Sequence, residues 1–155
     1  DDLLRFKVTP NKLSRNYETM EITFADMTDT GAELSIKWET TRVDFRIETE
    51  VDEIVMAQIQ ELVIDTQTEN PGLLYSAANY YYTNKKDMSQ AYAWISKSVE
   101  SDKKYWTVHL KAKIEATLGL KTEATASAKE SMALAKEAGN PDYIALNERL
   151  IKSLK

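Results

Sequence analysis

The chain has 155 residues, no cysteine, four glycines, three prolines and one histidine, with 20 Lys and Arg against 25 Asp and Glu. That inventory excludes a disulfide framework, a cysteine-held metal and a cysteine nucleophile, and a hydrophobic content of 43% excludes a disordered or collagen-like chain. No apolar run approaches the roughly 20 residues that cross a bilayer, and a net charge of -5 leaves no basic surplus to neutralise phosphates. Neither membrane insertion nor nucleic-acid binding is expected.

The opening Asp1-Asp2, without an initiator Met, reads as a processed end or as part of a longer chain. Residues 1–50 follow period 2. Leu4, Phe6 and Val8 alternate with Arg5 and Lys7; Met20, Ile22 and Phe24 with Glu21 and Thr23. Asp26 to Gly31 supplies turn chemistry. Leu34, Ile36 and Trp38 follow, then Val43, Phe45 and Ile47. Glu39 to Arg42 between them forms either a tight turn, the favoured reading, or the bend of one long strand. These segments predict an antiparallel meander of about four strands, apolar on one face. The first, Leu3 to Val8, is expected to be an unprotected edge open to pairing of two copies into a homodimer.

Residues 51–155 follow the helical period. Asp52 caps a predicted helix carrying Ile54, Val55, Ile59, Leu62 and Val63. Asn70-Pro71 and Asn140-Pro141 each give an N-cap with proline in the first turn. Asp87 with Gln90 resembles a capping box. Gly119 and Gly139 end two further helices. The expected fold is therefore α+β, a β-meander (1–50) followed by about six helices in hairpins (51–155). Ala78 and Ala112 lie 34 residues apart and Ala91 and Ala124 lie 33 apart, with helix-breaking stretches aligned between them. A small residue late in the first helix and a period near 34 mark a tetratricopeptide-like repeat. The second copy departs from the pattern, because Glu115 replaces the aromatic.

The run Glu21 to Val43, with Trp38-Glu39 followed by Arg42-Val43, resembles an uncharacterised bacterial family, domain-of-unknown-function family 2911. Leu4 to Val8 is similar to its preceding strand, and the resemblance covers residues 3 to 65. It implies a further β-rich stretch upstream and a secretion signal, hence the periplasm or another part of the bacterial envelope. The family has no assigned activity, so the resemblance carries no catalytic residue to any position.

Constellations that carry chemistry are few. His109 has no second histidine and no HExxH context, and reads as a half-buried structural residue on a helix. Asp26, Asp29 and Gly31 do not match the spacing of a calcium loop; a turn in which the Asp side chains bond backbone N–H groups fits better. Glu39, Asp44, Glu48 and Glu50 occupy polar strand positions and read as a solvated face. The densest feature is aromatic. Three adjacent residues, Tyr80 to Tyr82, cannot all face one core on a helix; Tyr75, Tyr81, Tyr82, Trp94, Trp106 and His109 form the candidate binding cluster, which reads equally as a packing seam between helix pairs or between helices and sheet. No catalytic residue, cofactor or metal site emerges. The expected function is a non-enzymatic binding or scaffold module that takes a peptide or protein. The alternative is a small-ligand-binding or hydrolytic protein whose site lies between sheet and helices, or upstream.

Overall fold

A computed structural model describes residues 3–154 of the chain and is α+β: two strands, then six α-helices. β1 (Asn11–Thr28) and β2 (Gly31–Glu48) pair antiparallel around a tight turn at Asp29-Thr30, with Ile22 opposite Ile36 and Phe24 opposite Leu34. The turn is tied by Thr28, whose hydroxyl donates to the Gly31 carbonyl at 3.1 Å. The expected Asp side-chain bonds are replaced by this one.

Two long strands thus stand where four short ones are expected, and the difference has a physical cause. The segments 34–38 and 43–47 are two arms of β2, bent where Glu39 takes a φ of 49°. The nine steps from Ser35 to Asp44 would span about 30 Å if extended. Yet Ser35 Oγ donates to Asp44 Oδ1 at 2.5 Å, and the Thr49 N–H donates to the Thr30 carbonyl at 2.8 Å. The strand therefore doubles back on itself. Gly31 permits the close approach, since a Cβ there would lie 2.4 Å from the Ile47 carbonyl oxygen. Period-2 patterning is the same on either side of such a bend, so pattern alone divides one bent strand in two.

Leu3 to Val8 forms no strand. Pro10 removes a ladder donor just before β1, and Phe6 turns edge-on to Phe45, with ring centroids 5.1 Å apart. The edge on which homodimer pairing is expected is not formed by these residues. The acidic strand residues are not uniformly solvated either. Asp44 accepts from Ser35, from Arg42 Nε at 2.7 Å and from Asn11 Nδ2 at 3.3 Å. These bonds, Ser35's foremost, hold its carboxyl below the usual range.

The chain divides into two units, residues 1–57 and 58–155. The helices are α1 (Val51–Ile59), α2 (Pro71–Thr83), α3 (Met88–Ser101), α4 (Tyr105–Thr117), α5 (Lys121–Glu137) and α6 (Pro141–Ser153). Asp52 lies inside the first turn of α1 rather than capping it. α1 continues as a π-helical stretch, Gln60–Asp65, which buries Val63. The remaining starts follow the sequence. Asn70 accepts from the Gly72 and Leu73 N–H groups, Asp87 from those of Ser89 and Gln90, and Asn140 from those of Asp142 and Tyr143. Each satisfies donors that a helix N-terminus otherwise leaves open.

Helices α2 and α3 pack as one pair, α4 and α5 as the next, and α6 packs on α5 and α4. The pairs are equivalent residue by residue. Ala78 and Ala112, each eighth in its helix, are fully buried, as are Ala91 and Ala124, each fourth. Ser98 Oγ donates to the Pro71 carbonyl at 2.8 Å, and Ser131 Oγ to the Tyr105 carbonyl at 2.7 Å. In both pairs the eleventh residue of the second helix thus holds the first residue of the partner helix.

The helix ends repeat as well. The N–H groups of Lys86, Leu120 and Asn140 return to the carbonyls of Tyr81, Glu115 and Ala135 across a residue of positive φ. That residue is glycine at Gly119 and Gly139 but Lys85 (φ 53°) in the first pair. Lys85→Gly is expected to stabilise the helical unit by about 1 kcal/mol, because a side chain is costly in this conformation. Urea denaturation that gives no gain would show that the lysine is held there without strain.

Candidate functional site

The six candidate residues separate into two groups. Tyr81 and Trp94 are 8% and 6% exposed and meet edge to face at 4.8 Å, so they form the seam between α2 and α3. They are core, and offer nothing to a ligand beyond Trp94's edge. Tyr82 is half-buried, with Lys113 Nζ 4.5 Å from its ring centre.

Tyr75, Trp106 and His109 belong to a second cluster. Tyr75 and His109 are each fifth in α2 and α4 and so hold the same place in successive pairs. Tyr143 reaches in from α6. Its ring lies 5.4 Å from His109 and 4.7 Å from Tyr105, and Tyr105 in turn lies 4.7 Å from Trp106. All five side chains are half-buried. Burial pushes the Tyr75 phenol up, and the nearby Tyr143 phenol adds to the effect; Tyr143 is raised in the same way by burial and then Tyr105. Both hydroxyls therefore remain protonated donors throughout the physiological range.

Beneath this face lies a buried polar network that the sequence reading missed. Asn147 is fully buried. Its Nδ2 donates to Ser131 Oγ at 2.8 Å and to the Tyr143 carbonyl at 2.7 Å, while its Oδ1 lies 2.7 Å from His109 Nδ1. Ser131 spends its one proton on the Tyr105 carbonyl, so it must accept from Asn147. The amide then has only its oxygen left for His109, whose Nδ1 must carry hydrogen. Burial lowers the imidazole's pKa below 6.5, with the Asn147 hydrogen bond opposing and Lys113 adding to the decrease. At neutral pH His109 is an uncharged Nδ1–H tautomer with its Nε2 lone pair free to accept. The available signal was Asn147's phase: it lies four residues after Tyr143 on a helix whose apolar residues are half-exposed.

The second pair departs from the first at its centre. Glu115 and Ser127 occupy the positions of Tyr81 and Trp94. Glu115 is 2% exposed, its Oε2 lacks a hydrogen-bond partner, and Lys111 Nζ stands at 3.9 Å. Burial raises its pKa above 4.5, against the lowering effect of Ser127, Lys111 and Tyr92. Because the folded pKa is raised, the fold loses stability as pH climbs from about 4.5 through the folded pKa. Glu115→Gln is expected to remove that decline, raising Tm at pH 7 while leaving it little changed at pH 4. Parallel Tm–pH curves for the two proteins would contradict it.

Among the described residues no cluster of three or more His, Asp or Glu is placed to hold a metal ion, and no helix is long and apolar enough to cross a membrane. Residues 1–47 match the family model of a protein of unknown function, DUF2911. This part of the chain is similar to DUF2911. The match covers β1 and nearly all of β2, ending short of residue 65, to which the sequence resemblance extends. The helices α1 to α6 lie outside the DUF2911 segment. No curated protein and no solved structure matches the chain.

Proposed function

We propose that residues 58–155 are a tetratricopeptide-like binding module, without catalytic activity, that takes a peptide on the face shared by α2, α4 and α6. The observation that carries this reading is the Tyr75–His109–Tyr143 group: half-buried rings from three helices, seated on a polar network that fixes their orientation. Rigid aromatics lose little entropy on binding, and repeat arrays present such faces to extended segments. The phenols supply donors, and His109 Nε2 an acceptor, for a peptide backbone. We further assign this module to the bacterial envelope; the family resemblance supports that reading, and fractionation of cells producing the full coding sequence tests it.

A display library of random peptides, panned against the protein, tests the module. Support requires enriched peptides that bind the wild type and weaken about tenfold on Tyr75→Ser or Tyr143→Ser, while Thr125→Ala, on the outer helix α5, leaves binding unchanged. Failure of any peptide to enrich, or binding indifferent to both tyrosines, overturns it.

A further inference from the structure

From the groove beside this face we infer that the peptide is acidic, with an apolar side chain flanked by carboxylates; the inference rests on the peptide-binding reading above. Where the ends of α2 and α4 meet the start of α3, an open groove of 620 Å³ is lined by Tyr82, Met88 and Thr117 and by three lysines, Lys85, Lys86 and Lys113. Among the described residues that line it there is no carboxylate. The nearest acid in sequence, Asp87, has its side chain turned onto the N–H groups of Ser89 and Gln90. In a chain of net charge -5, this clustering of ammonium groups runs against the overall balance.

Lys113 is the deciding member. Its side chain is half-buried over the Tyr82 ring, and no ion pair joins it to a carboxylate among the described residues. A partly desolvated ammonium without an anion is costly, and burial correspondingly lowers its pKa. An incoming carboxylate would remove that cost. The floor beside it, Tyr82 and Met88, is apolar and suited to a flexible contact. Ammonium groups around an apolar floor match a glutamate–leucine pattern better than a compact inorganic anion, which uses only the charge.

The test is calorimetry of the full chain with three probes: an acetylated, amidated hexapeptide alternating Glu and Leu, the same peptide with Gln for Glu, and inorganic phosphate. The Glu–Leu peptide is expected to bind, more weakly as salt rises, and the Gln–Leu peptide roughly tenfold more weakly or not at all. Lys113→Gln and Lys85→Asn should each reduce binding of the Glu–Leu peptide roughly fivefold. Asparagine tolerates the positive φ at position 85, so that variant removes charge without endangering the fold. Equal binding of the two peptides, indifference to both substitutions, or competition by phosphate at equal concentration overturns the inference. If the library above yields neutral peptides that depend on Tyr75 and Tyr143 but not on Lys113, the acidic specificity fails while the peptide-binding reading stands. If no peptide binds, both fail.

Discussion

Asn147→Leu is expected to destabilise the helical unit by about 3 kcal/mol, which for a unit of this size lowers Tm by roughly 12–24 °C. The amide serves three partners at a fully buried position. Leucine supplies none, so the His109 Nδ1–H loses its acceptor, and the Tyr143 carbonyl and Ser131 oxygen lose a donor. A buried group left unpaired costs more than the hydrogen bond was worth. Asn147→Asp should be at least as harmful, because it places a charge where no water reaches. Nitrogen NMR of the wild type checks the premise: Nδ1 should carry the proton at neutral pH. An Nε2–H tautomer, or an Asn147→Leu Tm within a few degrees of wild type, would overturn the network as described.

Gly31→Ala is expected to open the doubled arm of β2, at about 2–3 kcal/mol. The added methyl would sit 2.4 Å from the Ile47 carbonyl oxygen, 3.3 Å from Glu48 Cα and 3.4 Å from Ile47 carbon. These are backbone atoms of the adjacent arm, which cannot rotate away as a side chain would. Relief requires the two arms to separate, breaking the Thr49 to Thr30 hydrogen bond. Amide exchange at Thr49 should therefore accelerate more than exchange within the Ile22–Ile36 ladder. Unchanged Thr49 protection would mean that the arms are held apart already.

The helical half was legible because its punctuation is local. Asn70-Pro71, Asp87 and Asn140-Pro141 act on the next two or three residues, so spacing alone locates those starts. Ala78 and Ala112 likewise announce their role by size. The β half was legible only to the level of alternating segments: the interruption at Glu39 to Arg42 is visible, but a turn between two strands and a bend within one, which the positive φ of Glu39 makes it, leave the same pattern. In the site, composition pointed to aromatics but could not sort them. Tyr81 and Tyr82 are neighbours in sequence, yet one faces Trp94 and the other Lys113, and helix phase relative to a partner decides which. Asn147 escapes a first reading because polar residues are taken as solvent-facing, and its phase, four residues after Tyr143, becomes telling only once Tyr143 is known to face the preceding pair.

Most of the contacts in residues 58–155 join neighbouring helices, an arrangement that ordinarily lets a terminal helix open alone. The His109–Asn147 bond bypasses α5 and ties α6 directly to α4. Detachment of α6 therefore exposes polar groups at the centre of the preceding pair as well as its own face. The C-terminal helix should accordingly open in concert with α4, and its amides should exchange at the rate of the unit's interior rather than at that of a frayed end.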